Sequence, residues 1–514
     1  MKHSAPRLCA MAMIVAMTVT LAIFAQQAAP AGAAMPDAQK QELAGRVRQE
    51  LLHAWDGYRK YAWGHDALLP LSRKPHDWYA HSLLMTPVDA LDTMVLMGLK
   101  PQADDARKLI DTQLNFDQDM YVKDFEINIR LLGGLISDYE LTGDPRLLEL
   151  ADELGRRMLP MFNSPTGMPY EYVNLHSGAV RGNVSNPAEV GSMLIEYGML
   201  ARLTGKQIYY DKAKQAVVAL YQRQSKIGLV GNGINVETGE WTGTQAGIMG
   251  GIDSYYEYLL KAAVLFHDED CERMWRESLT SINKYLADDH PDGLWYGQAD
   301  MNTGARTTTH YGALDAFFPA VLVLSDDDLR QQSRLQMNRQ MEHQGPNGTF
   351  TFPNYSKNVH SIPAEKLQDS SYRMWQLAGI EPDGLDYAKM QITAPSYPLR
   401  PEIIESAYYL YHYTDDPKYL QMGKTFFESL VKYCRTPDGY AQLADVRTKR
   451  QTDEMESYFF AETLKYLYLL FSPPSTLEFN SIVFNTEAHP LIRNAALSSN
   501  PTAAAAMRTR ASAR

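Results

Sequence analysis

The sequence predicts an all-α protein, built as a barrel of paired helices. Two observations carry that prediction. Helical patterns recur from Gln39 almost to Phe471, while strand-like runs are few. The helices also come in two alternating kinds, one apolar nearly all round and one with a single apolar stripe. The first kind is buried on most sides and the second keeps a wet face. Inner helices lining an axis, shielded by outer ones, satisfy both. Six or seven such pairs fit the chain. A superhelical solenoid is the alternative, but solenoids keep stricter repeats.

Taken in order, residues 125–141 and 455–471 are the most uniformly apolar segments and read as inner helices. Residues 144–159 place Leu147, Ala151, Leu154 and Met158 at i, i+4, i+7 and i+11, with Leu150 widening the stripe. Residues 270–286 repeat the pattern with Cys271, Trp275, Ser278, Leu279, Ile282 and Leu286. These are outer helices. The joins Leu141-Thr142-Gly143-Asp144-Pro145, Leu203-Thr204-Gly205 and Tyr413-Thr414-Asp415-Asp416-Pro417 each stop one helix and cap the next. Thr142 and Thr204 lie 62 residues apart, and Thr204 and His267 lie 63 apart, a loosely kept helix-hairpin period.

The remaining composition sets bounds. Of 514 residues, 45% are hydrophobic and 21% charged, enough for one large domain, drawn here over residues 36–490. A net charge of -12 disfavours nucleic acid as a partner. Thirty-one tyrosines fit a sugar-binding cleft or simply a large core. Residues 1–25 read as a secretory signal, with Lys2 and Arg7 before an apolar run at 11–24 and small residues that allow cleavage as late as 34. No later run reaches the roughly 18 apolar residues of a membrane span. The expectation is a secreted or periplasmic protein with no membrane partner after cleavage, acting as a monomer. Cys9 leaves with the signal, and Cys271 and Cys434 allow one disulfide, although Cys271 reads as a small core residue. No Cys/His spacing fits zinc. Residues 491–514, rich in Ala, Ser and Arg, read as a disordered tail.

Chemistry enters where acids fall in the apolar helices. Asp89, Glu126, Glu189, Asp253, Glu402 and Glu405 are each read in the first turn of an inner helix. Helix-dipole complementarity explains any one of them. It explains all of them less well, because the N-termini of an inner ring converge on one end of the barrel. Carboxylates crowded into one funnel repel one another, and such an arrangement persists where a cation or a reaction uses it. Paired carboxylates are also what glycosidic cleavage needs. Arg130 follows Glu126 by one turn and Arg400 precedes Glu402, so each can hold a carboxylate or a sugar hydroxyl. His310 opens another apolar segment, as a sugar ligand or a satisfied core residue. Tyr458 and Glu462 share one helical face, an aromatic beside an acid.

Six separated motifs then occur in one order: Thr86-Pro87-Val88-Asp89-Ala90-Leu91-Asp92-Thr93; residues 125–130 with Gly133-Gly134-Leu135; residues 253–261; Leu399-Arg400-Pro401-Glu402 with Glu405-Ser406; Glu456-Ser457 with residues 461–466; and Phe484-Asn485-Thr486-Glu487-Ala488-His489-Pro490. From about Ala54 to Pro490 the chain resembles glycoside hydrolase family 47, the class I α-1,2-mannosidases, here as a secreted bacterial member. The resemblance implies an (α/α)7 barrel closed at one end by a C-terminal β-hairpin, with residues 477–484 as one strand carrying Thr486 up the axis. It implies a Ca2+ cofactor with Thr486 as its direct protein ligand and a shell of ordered waters. Glu462, Glu405, Glu487 and Glu189 would hold those waters or sugar hydroxyls. It implies an inverting reaction on a mannose-containing oligosaccharide, with Glu126 as general acid, Glu402 as general base and Asp253 as a third acidic group, itself a candidate acid. Arg130, Arg400, His310, Tyr458 and Asp89 would line the sugar site. A non-catalytic mannose-binding protein on the same fold is the alternative. Three positions depart from the family pattern: Ala313 where a disulfide Cys is usual, Gly251 where a branch-selecting Arg or Leu stands, and Tyr458 in place of Phe.

Overall fold

A computed structural model describes residues 34–344 and 359–493. Its helices are α1 (Asp37–Tyr61), α2 (Met85–Leu96), α3 (Lys100–Gln113), α4 (Asp124–Ile127), α5 (Gly133–Thr142), α6 (Pro145–Met158), α7 (Pro187–Gly191), α8 (Leu194–Thr204), α9 (Ile208–Tyr221), α10 (Asp253–Phe266), α11 (Glu269–Tyr285), α12 (Phe318–Gln344), α13 (Ile362–Gln376), α14 (Glu402–Thr414), α15 (Lys418–Cys434) and α16 (Leu464–Phe471). Seven inner-outer pairs pack together among the described residues: α2 with α3, α5 with α6, α8 with α9, α10 with α11, α12 with α13, α14 with α15, and α16 with α1. The inner members touch their neighbours in turn, α2–α5–α8–α10–α12–α14–α16, and the turn before α16 returns to α2. The ring is therefore closed, and the first helix of the chain covers the last inner one.

The stripes behave as the periodicity requires. Leu147, Leu150, Ala151, Leu154 and Met158 of α6 are buried, as are Cys271, Trp275, Ser278 and Ile282 of α11. Inner α10 is buried from Ser254 to Leu265. Asp144 caps α6 by accepting from the Arg146 N–H at 3.1 Å.

Several expectations are corrected. The inner segments 125–141 and 455–471 are not continuous α-helices, because each contains a π-helical turn, Asn128–Leu132 and Phe459–Thr463. Strands are more numerous than the sequence suggested: among the described residues nine small antiparallel sheets, mostly of two- and three-residue strands, occupy the connections. Such strands are too short to show a period of two. The strand read at 477–484 covers only Ile482–Phe484, preceded by 3₁₀ turns at Pro474–Thr476 and Phe479–Ser481. It pairs with Pro490–Ile492 in register Ile482↔Ile492 and Phe484↔Pro490. Leu491 and Ile492, assigned to the tail, are thus in the fold; Leu491 is fully buried, and the Ile492 N–H donates to Glu140 at 2.8 Å. Cys271 and Cys434 are both free and buried, so they form no disulfide. The export signal lies outside the described residues.

Candidate active site

A cavity of ≈ 310 Å³ opens where the starts of the inner elements meet the turn of the C-terminal hairpin. Glu126 from α4, Glu189 from α7, Asp253 from α10 and Glu402 from α14 all line it. Arg130 and Glu462 reach it from the two π-helical turns, Arg400 and Tyr458 from the connections, and Thr486 and Glu487 from the hairpin turn. Ten predicted residues therefore converge on one space from six separate stretches of chain.

Local structure explains each placement. The Asn186 side chain accepts from the Glu189 N–H at 3.0 Å, a cap that starts α7 with its acid facing inward. Asp253 and Glu402 are the first residues of α10 and α14. Just before Asp253, Gly251 turns the chain with φ +85°, where a Cβ is strained. π-helical turns widen the helix and displace side chains from the i, i+4 rows, a feature common at functional sites.

Arg130 is the electrostatic hub. Its Nε and Nη2 donate to Glu126 Oε2 at 3.0 and 2.9 Å, its Nη1 donates to Glu487 Oε1, and Asp89 Oδ2 lies 3.8 Å from Nη1. The guanidinium also lies over the rings of Trp78 and Tyr458, at 5.2 and 5.5 Å from their centroids. Burial works against its charge, but Glu487, Glu126 and Asp89 outweigh burial and hold it protonated. Arg400 Nε donates to Asp383 at 3.1 Å, and the Tyr458 hydroxyl donates to the Pro398 carbonyl.

The carboxyls of this space are pushed upward. Burial raises Asp253 to about 7, helped by Glu257 and Glu402 and opposed by the Ser254 N–H. Burial raises Glu402 to about 7, with Arg400 opposing. Burial raises Glu487 to about 8 against the pull of Arg130. Glu462 is raised well above the ordinary range by burial and by Glu487, Glu402 and Glu405. Two such carboxyls in one cavity can give and take protons near neutral pH.

Three predicted residues stand outside the cavity lining. Asp89 is fully buried and is the fifth residue of α2, not in its first turn, because that helix already starts at Met85. Glu405 faces the barrel interior, accepting from Tyr466 at 3.2 Å with Lys261 3.7 Å away. His310 lies on the strand His310–Gly312, its Nδ1 3.3 Å from Thr393 Oγ1. The cavity also contains residues that sequence reasoning passed over. Lys123 pairs with Glu189 at 2.8 Å, and Asn186, Gly250 and Leu314 complete that side. The Asn186-Pro187 pair was the one legible signal, as a helix start. Lys123 sits in a three-residue strand that carries none.

Comparison with known proteins agrees with this geometry. The family model described as glycosyl hydrolase family 47 matches residues 50–493. Alpha-mannosidase I MNS4 of Arabidopsis thaliana is 37% identical over 477 residues, covering 89% of this chain and 70% of that protein. Human mannosyl-oligosaccharide 1,2-alpha-mannosidase IB is 34% identical over 474 residues, covering 89% and 71%. Among solved structures, an alpha-1,2-mannosidase from Trichoderma reesei superposes with a TM-score of 0.76 at 26% identity, covering 88% of this chain and 99% of that one. With the paired-helix barrel and the convergent carboxyls already in place, these matches assign the chain to glycosyl hydrolase family 47, as a glycoside hydrolase.

Proposed function

We propose that the protein is a calcium-dependent, inverting exo-α-1,2-mannosidase that removes terminal mannose from mannose-rich glycans. The observation that carries this reading is the meeting of Glu126, Asp253 and Glu402 with Thr486 in one cavity. Thr486 and Glu487 of the hairpin turn line it. A monosaccharide fits a space of ≈ 310 Å³, as a reaction at a chain end requires.

In this mechanism Glu402 removes a proton from a water as that water bonds to C1 of the terminal mannose. The C1–O bond to the departing sugar breaks as Glu126 delivers a proton to the leaving oxygen. Attack on the face opposite the leaving group inverts C1. Arg130 holds Glu126 in place and Arg400 counters the rise of Glu402, keeping the base available. Tyr458 offers an aromatic wall. A second assignment has Asp253 as the proton donor, favoured by its burial and its value of about 7. α-Mannosyl fluoride separates the two, since fluoride departs without a proton. The variant lacking the donor, Glu126→Gln or Asp253→Asn, regains activity on it, and the other does not.

The residues present fit a calcium ion. Thr486 lines the cavity, where its hydroxyl and carbonyl oxygens would be the direct ligands, and Glu487 stands near enough to Glu462 to raise that acid's affinity for protons. Hard oxygen donors and waters are what calcium takes. When bound, the ion supplies positive charge that orders sugar hydroxyls. The test is release of mannose from α-1,2-, α-1,3- and α-1,6-linked mannobiose, with calcium and with EDTA. The reading expects turnover of the α-1,2 isomer only, lost in EDTA. Binding without turnover of any isomer would identify a lectin-like protein instead.

A further inference from the structure

Beneath the hairpin turn lies a second group of charges that the mechanism does not use. His489 places Nδ1 2.8 Å from Asp92 Oδ2 and Nε2 3.2 Å from Asp89 Oδ1. Both partners are carboxylate oxygens, so both ring nitrogens donate and the ring is an imidazolium. Lys465 Nζ lies 2.7 Å from Asp92 Oδ1 and donates to the Ala488 carbonyl at 2.7 Å. All four side chains are fully buried. Two cations meet two anions, so the cluster is neutral. Ser457 also donates to Asp89, and Ser137 donates to Asp92 at 3.0 Å.

The cluster joins three elements: Asp89 and Asp92 on α2, Lys465 on α16 and His489 at the end of the hairpin turn. The same turn is tied internally, since Asn485 Oδ1 accepts from the N–H groups of Glu487 and His489 at 3.0 and 2.8 Å. Asp89 reaches the other way as well, to Arg130 at 3.8 Å. A chain of contacts therefore runs from the turn that carries Thr486, through His489 and Asp89, to the arginine that holds Glu126.

We propose that His489, Asp92 and Lys465 are positioning residues, forming a buried ionic clamp that fixes the Thr486–Glu487 turn against α2 and so sets calcium affinity. Asp89 belongs to this clamp and not to the sugar site. Four buried charges add little net stability compared with apolar residues of the same volume, but their directional bonds specify one orientation. The raised proton affinity of His489, to about 9, agrees with this, since Asp92 and Asp89 outweigh the burial that opposes it.

The proposal rests on calcium binding at Thr486, so the test includes a readout that does not. His489→Gln keeps one donor and loses the other. In calcium-free protein, amide hydrogen exchange over residues 485–489 is expected to speed up at least tenfold while α10 and α14 keep their protection. Calcium titrated by calorimetry is expected to bind at least tenfold more weakly, with kcat within about threefold of wild type at saturating calcium. Asp92→Asn, which keeps the side-chain shape, is expected to behave alike should His489→Gln fail to fold. Unchanged exchange in the turn, or exchange that speeds up uniformly across the protein, overturns the clamp. Faster exchange in the turn with no calcium binding by the wild type sustains the clamp and overturns the calcium reading alone.

Discussion

At the scale of the residue, the account turns on carboxyls whose surroundings set when they hold protons. Glu402 must be ionised to act as base, and burial lifts it to about 7. Activity is therefore expected to rise with pH through about 7, a limb that a kcat/KM profile reads directly. Glu402→Gln and Glu126→Gln are each expected to lose about 10²- to 10⁴-fold in kcat with mannobiose affinity kept within a few-fold, measured by single-turnover kinetics and calorimetry. A Glu402→Gln variant retaining wild-type kcat would remove that residue from the mechanism. Much of this site was legible in the sequence: Glu126, Glu189, Asp253 and Glu402 stood out as acids opening apolar helices, and all four line the cavity. Thr486 was not, because a threonine in a hairpin turn has no signature of its own, and only the resemblance pointed to it. Asp89 and Glu405 carried the same signature as the lining acids but point into the interior, because spacing along a helix does not tell cavity from core.

At the scale of the element, the site depends on how closely the hairpin approaches the inner ring. A Cβ at Gly133 would stand 2.5 Å from Asn485 Nδ2, the amide that donates to Ile129 and Glu196 at 2.9 and 2.8 Å. Gly133→Ala is expected to lower stability by about 1–3 kcal/mol and to weaken calcium binding in parallel, read from melting curves with calcium and with EDTA. A melting temperature unchanged in both conditions would show that the hairpin has room to shift. Helix identities were legible from the 3.6-residue period, and the outer stripes of α6 and α11 fall on the buried residues foreseen. The π-helical turns were not, because one extra residue in a fully apolar helix leaves the pattern unchanged. Arg130 and Glu462 both lie in those turns and both line the cavity.

At the scale of the whole molecule, the barrel closes only when the first helix covers the last inner one, so α1 and α16 join the two ends of the chain. The same closure buries an excess of acids. Asp253 and Glu402 are held near 7, and Asp315, Glu405 and Glu487 near 8, all chiefly by burial. Their ordinary values are 3.8 and 4.5, so between pH 5 and 8 the folded state binds protons that the unfolded state has lost, and stability falls as pH rises. His489, raised to about 9, adds stability that is full below its ordinary 6.5 and is lost as pH climbs through 9. The melting temperature in EDTA is expected to be lower at pH 8.5 than at pH 6, with calcium restoring most of the difference. Equal melting temperatures at both pH values in EDTA would show that these acids are not protonated in the fold. The paired-helix barrel itself was legible from two helix types in alternation; which helices make the seventh pair was not, because α1 and α16 lie at opposite ends of the sequence. The most direct test of the central claim is proton NMR of the first product released from α-1,2-mannobiose, with calcium and then with EDTA. β-Mannose appearing first, and only with calcium, is the predicted result; α-mannose appearing first, or turnover undiminished in EDTA, would contradict the account.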